Sequence, residues 1–138
     1  MKRILYLILY VMIILPIGSC NPIELTPGID KFNVTIDVDS VKVGEEITFH
    51  FKGNPNLISF YSGELNHQYE YKDSTIVNGV SMGPDHSIAV KGFETGYLSS
   101  FNYIYNTSGS YKVNFVAQNI TINDEVQVVR SLVVTVTQ

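Results

Sequence analysis

One cysteine, three histidines and one crowded aromatic run are the places where this sequence could do chemistry. Cys20 is the lone thiol, so it cannot form half of an internal disulfide. His50 sits on the polar side of an alternating segment and His86 in a Gly-Pro-Asp loop. No His-x-x-x-His pair, nucleophile elbow or cysteine-based constellation accompanies them, so no catalytic residue is assigned and an enzyme is not expected. Asp37 and Asp39, or Asn123, Asp124 and Glu125, offer oxygen atoms, but no loop spaces them as a calcium loop does. Neither a metal nor a cofactor is expected. Residues 60–71, FYSGELNHQYEY, remain: four aromatic rings and a histidine in twelve positions. Such rings either stack on a ligand or pack a core, and Tyr61, His67, Tyr69 and Tyr71 are the candidate ligand-binding residues.

The chain of 138 residues is long enough for one domain. It is 45% hydrophobic and 16% charged, so it can bury a core. Its formal charge of −4 provides no basic field for nucleic acid. The first residues do not belong to the core. Lys2 and Arg3 precede the apolar run Ile4 to Leu15, then Pro16, small residues and Cys20. Basic head, short apolar middle and small-residue exit describe a secretory signal, residues 1–19. The run falls short of the roughly 20 apolar residues that a membrane span needs. Asn21 to Asp30, with two prolines and a glycine, reads with Cys20 as a tether, residues 20–30. The folded domain is expected over residues 31–138.

The elements that must position these side chains are strands, since period two runs through nearly all of the remainder and no segment has helical periodicity. Phe32, Val34, Ile36 and Val38 alternate with polar residues, and the phase slips at Ser40 to Val41 and Val43, as a bulge or a switch between sheets would cause. Ile47, Phe49 and Phe51 share a face; Leu57 to Tyr61 follow after the turn Gly53 to Asn56. His67, Tyr69 and Tyr71 alternate with Gln68, Glu70 and Lys72 and suggest a fourth strand whose aromatic face covers the core. The sharper alternative places that strand at a sheet edge, its rings exposed beside Tyr61 as a sugar-stacking surface. Asn78 to Asp85 reads as loop, Ser87 to Val90 as a short strand. Phe101, Tyr103 and Tyr105 begin another; Tyr111, Val113, Phe115 and Ala117 another; Val126, Val128, Leu132, Val134 and Val136 the last, where Arg130 breaks the row at an expected bend or exposed end. Seven to eight short antiparallel strands with turns between them make an all-β sandwich.

Several quoted stretches resemble known families. Ile17-Gly18-Ser19-Cys20 resembles the lipobox of bacterial lipoproteins, which implies a diacylglycerol on the Cys20 sulfur, cleavage before Cys20 and anchoring to a membrane by several acyl chains. VKVGEEITFHF resembles the A′–B region of an immunoglobulin-type domain, with Phe51 in the place of the first cysteine. YNTSGSYKV resembles the E–F corner, with Val113 in the place of the second cysteine and Tyr111 as a tyrosine-corner residue. Phe60 suits the position tryptophan holds in antibody domains. Phe49, Phe51, Phe60, Tyr111 and Val113 are thus the expected structural core. IYNTSGSYKVNFVAQN is similar to the signature of the PKD domain (polycystic kidney disease repeat), a variant of this sandwich, with Ser108 where that signature has proline.

ISFYSGELNHQYEY resembles a segment of Bacteroidota cell-envelope lipoproteins that carry a PKD-like domain after a lipobox, many encoded with glycan-uptake machinery. The resemblance implies a lipid-anchored envelope module, on the outer membrane with its face left open, that serves glycan recognition or uptake. The alternative is a structural or protein-interaction module with no small ligand of its own. Asp39-Ser40-Val41 and Asp73-Ser74-Thr75 resemble an O-glycosylation acceptor of the same group.

Overall fold

The computed structural model describes residues 29–73 and 75–138. The expected signal segment, Cys20, nearly all of the tether, and Ser74 lie outside the described residues. Ten strands are present among them: β1 (Asn33–Ile36), β2 (Ser40–Lys42), β3 (Glu46–Lys52), β4 (Leu57–Tyr61), β5 (Thr75–Val77), β6 (Val80–Met82), β7 (Ile88–Lys91), β8 (Ser100–Ile104), β9 (Gly109–Ile120) and β10 (Glu125–Thr137). Eight of these build a sandwich. One sheet has the order β1-β3-β8 and the other β2-β10-β9-β4-β7, while β5 and β6 pair apart as a hairpin. This is an immunoglobulin-like order, with the first strand shared between the two sheets. No helix among the described residues is long and apolar enough to cross a membrane.

The phase slip at Ser40 is the switch between sheets. β1 pairs antiparallel with β3, and after Asp37 to Asp39 the chain crosses so that β2 pairs with β10. That one pairing is parallel, where only antiparallel strands were expected. The crossing buries Val34 against one sheet and Val41 against the other. The packed body also takes in Ile29, which is buried and whose carbonyl accepts the Phe32 N–H (2.9 Å).

Alternation decides the core. Ile47, Phe49 and Phe51 of β3 face Ile58 and Phe60 of β4 and Val113, Phe115 and Ala117 of β9, all buried. Rings fill the centre that a disulfide and tryptophan occupy in antibody domains. Phe60 lies 4.9 Å from Phe115, 5.6 Å from Phe49 and 5.1 Å from Phe101 between centroids; Phe51 meets Phe115 edge-on at 5.3 Å. Such offset and edge contacts suit the ring quadrupoles.

Tyr111 is half-buried rather than at the centre. Its hydroxyl donates to the Thr107 carbonyl (2.8 Å), a tyrosine corner, and its ring stacks on buried Tyr105 at 4.5 Å. Tyr105 in turn donates to the Ser62 carbonyl (2.9 Å). A Cβ on Gly109 would stand 3.2 Å from the Tyr111 ring, so the backbone there runs close against it.

Two expectations about strands are corrected. Arg130 marks neither a bend nor an exposed end. The β9–β10 ladder runs unbroken past it, and its Nε donates to the Phe32 carbonyl (2.8 Å), satisfying backbone where β1 begins. Asn78 to Asp85 is not simply loop: Asn78 and Gly79, at φ 51° and 79°, turn β5 into β6. Positive φ at both central residues is the requirement of a two-residue hairpin turn.

Candidate aromatic cleft

The connection from β4 to β7, residues 62–87, decides where the rings of FYSGELNHQYEY go. The expected fourth strand does not form. Tyr69–Tyr71 is a single 3₁₀ turn, so His67, Tyr69 and Tyr71 share neither a strand nor a face. Gly63 and Asn66 stop the strand, with φ of 82° and 67°. At Gly63 the backbone presses on β9: a Cβ there would stand 2.7 Å from the Lys112 carbonyl oxygen.

A short set of hydrogen bonds then pins the turn. The Gly63 N–H donates to the His67 carbonyl (2.9 Å). His67 Nδ1 bonds the His86 carbonyl (2.6 Å), and the His86 N–H donates to the Asn66 carbonyl (3.0 Å). Asp85, nearly buried, accepts the Gln68 N–H on Oδ2 (2.7 Å) while its own N–H donates to the Tyr71 carbonyl (2.8 Å). Lys112 Nζ donates to Glu70 Oε1 (2.5 Å), and that bond holds the Glu70 carboxyl below its usual range.

The result is that Tyr69 swings onto the outer face of the five-stranded sheet, beside Tyr61. The two rings stand 5.4 Å apart at 76°. With Ser59, Val116, Lys72, Gln118 and Gln127 they line an open cleft of about 230 Å³. Val116 points outward beside Ser59 and Val129, yet it is buried, because the rings overhang it. Gln118 Nε2 donates to Glu125 Oε1 (2.9 Å) and Gln127 Oε1 (3.3 Å). Lys72 Nζ lies 5.7 Å from the Tyr69 ring centroid and is bonded to Asp73, which raises its pKa.

Of the four candidate binding residues, the structure brings Tyr61 and Tyr69 together. His67 is engaged at the base of the connection, and Tyr71 offers its carbonyl there rather than a ring to the cleft. The rings form a corner, not the flat row that a strand edge would give. Lys72, Gln118 and Gln127 were not singled out from sequence. The signal available was Val116, an apolar residue in the outward row Asn114, Val116, Gln118 of β9, which announces that something covers that face.

A second cleft, lined by Glu64, Leu65, Thr107 and Tyr111, is structural in character. Glu64 accepts the Tyr103 hydroxyl (2.6 Å), and burial together with this bond raises the Tyr103 pKa. His50 Nε2 and Asp37 Oδ2 (3.0 Å) pair on the exposed side of β1 and β3 and bond no hydroxyl or thiol among the described residues. No group of three or more His, Cys, Asp or Glu side chains converges among the described residues.

Fold and cleft together define an immunoglobulin-like β-sandwich module carrying an insertion-built aromatic corner on its five-stranded sheet. The chain matches, over residues 19–119, the family described as "Domain of unknown function (DUF5017)", and it belongs to that family. Among solved structures it is similar to the PKD domain of an M14-like peptidase from Thermoplasmatales archaeon SCGC AB-540-F20, at 20% identity and a TM-score of 0.44, over 82% of this chain and 97% of that one. No curated protein matches the sequence.

Proposed function

We propose that the chain is a non-catalytic binding module of the bacterial cell envelope, held to the membrane through lipid on Cys20, and that its cleft takes a glycan. The observation carrying this reading is the pair of Tyr61 and Tyr69 rings, 5.4 Å apart, overhanging a floor of apolar Val116 and the Gln118 and Gln127 amides. Aromatic faces meet the C–H faces of a sugar, and amides meet its hydroxyls. An exposed site of this size makes few contacts, so affinity for one sugar unit is modest and repeated units on a polymer raise it.

The test is retention of the purified full-length chain by a polysaccharide panel, with Tyr61→Ala and Tyr69→Ala as variants. Each variant is expected to melt within a few degrees of the parent and to lose binding at least about tenfold, the equivalent of one ring's stacking. Folded variants that bind like the parent overturn the cleft as the site. For the anchor, Cys20→Ala is expected to abolish a lipid mass on the chain and to release it from membranes. An equal membrane fraction for both proteins, with no lipid mass on the parent, overturns that part.

The second reading, a protein-interaction module, is favoured by β8. It ends its sheet, carries no charge over Ser100–Ile104, and lies near a connection that exposes Phe93 and Tyr97. Uncharged sheet edges readily accept another strand. Crosslinking through a photoreactive group at Asn102, with and without polysaccharide, separates the two readings.

A further inference from the structure

The polar groups of the cleft say which sugars it takes. The reasoning rests on the glycan reading above and concerns charge. Among the described residues, three carboxylates stand beside the cleft, on Glu70, Asp73 and Glu125, against two ammonium groups, on Lys72 and Lys112. Both ammonium groups are engaged, Lys72 with Asp73 and Lys112 with Glu70 (2.5 Å). Among the described residues, Lys72 is the one cation that lines the cleft itself. An incoming carboxylate or sulfate must compete with Asp73 for it while entering a field that is negative locally and over the whole chain, at −4. Like charges at that range repel, and among the described residues no unpaired cation lines the cleft to offset the desolvation of an anion.

Uncharged hydroxyls meet better partners. Gln118 uses its Nε2 twice, toward Glu125 and Gln127, so its Oε1 is the atom left to accept from a ligand. Gln127 accepts with Oε1, which leaves its amide nitrogen to donate. An acceptor beside a donor matches two neighbouring hydroxyls, one giving and one taking a hydrogen. The rings, at 76°, form a corner that holds one pyranose, its C–H face on one ring and its rim against the other.

We infer that the Tyr61–Tyr69 cleft selects uncharged pyranose residues bearing neighbouring free hydroxyls, and discriminates against uronic acids and sulfated sugars. Lys72 then serves as a wall of the cleft beside the Tyr69 ring rather than as an anion ligand.

The experiment compares the full-length chain on neutral polymers (dextran, galactomannan, xylan) and anionic ones (polygalacturonate, chondroitin sulfate), at low and high salt. The expected result is binding to at least one neutral polymer, a Kd that moves less than about twofold with salt since no ion pair forms, and no binding to the anionic set. Gln127→Ala is expected to weaken that binding by about tenfold, the value of one hydrogen bond. Equal or stronger binding to the anionic polymers, or a Kd for the neutral polymer that weakens severalfold with salt, overturns the charge inference and leaves the glycan reading standing. Failure of every polymer, neutral and anionic, overturns both.

Discussion

Asp85 is the residue on which the aromatic corner depends, although it does not line the cleft. Its carboxylate accepts the Gln68 N–H at 2.7 Å, one residue before the 3₁₀ turn, and its N–H caps the Tyr71 carbonyl at the other end of that turn. Replacing Asp85 with Ala keeps the backbone bond and removes the side-chain one. A hydrogen bond to a charged group contributes about 1.5–3 kcal/mol, and here the Gln68 N–H would lose its acceptor. The loss falls on the connection and not on the sandwich, because both Asp85 bonds go to the backbone of residues 68 and 71. Opening of residues 66–72 should therefore become easier by about that amount, which speeds amide exchange there by about 10- to 100-fold while β9 and β10 keep their protection. Asp85→Asn retains an acceptor oxygen and should show a smaller effect. Hydrogen exchange read residue by residue is the assay. Unchanged exchange at Tyr71 and Lys72, with Tyr69 ring signals unmoved, would refute Asp85 as the pin. Equal acceleration across β9 would refute the separation of connection and core.

Three further outcomes are expected. Phe60→Ala removes a fully buried ring from the central cluster and should cost about 3–5 kcal/mol, out of a total near 5–15, read as a fall in the unfolding midpoint; a loss under about 1 kcal/mol would contradict the packing. Gly63→Ala forces a Cβ against the Lys112 carbonyl at positive φ and should destabilise by more than about 1 kcal/mol while displacing Tyr69, which two-dimensional NMR of the tyrosine rings would show. The third concerns alkali. Burial raises the pKa of Tyr103, Tyr105 and Tyr111 above the ordinary 10.0. A raised folded pKa means the unfolded chain releases the proton first, so stability is full below pH 10 and falls as pH climbs beyond it. Tyr105→Phe should flatten that fall in denaturant titrations, and an equal slope in both proteins would refute the assignment.

What could be read from the sequence, and what could not, divides along one physical line. β3 shows its period because Ile47, Phe49 and Phe51 each face the same core, and the phase slip at Ser40 shows because changing sheets reverses which side is in. Tyr111 could be placed because a tyrosine corner is local: its acceptor, Thr107, lies four residues back. The Asn78-Gly79 turn was equally local and went unread among other loop-forming residues. Tyr69 and Tyr71 are different. Two residues apart, they satisfy a strand pattern, yet Gly63 and Asn66 stop the strand before them and Asp85, His86 and Lys112 fold the segment over β9. Their direction is set by partners 14 or more residues away, which no window of periodicity contains.

The same reasoning explains why half of the cleft was invisible. Gln118 and Gln127 come from the outward rows of β9 and β10, and a polar outward row ordinarily means solvent. Only the connection from β4 to β7 makes them a wall. The cleft thus belongs to the insertion as much as to the sandwich, and the sandwich could exist without it. If so, deleting the turn while preserving β4 and β7 would leave a folded domain with no aromatic corner. Such a deletion would separate stability from the proposed recognition in one molecule: the core rings carry the first, and residues 62–87 build the cleft proposed for the second.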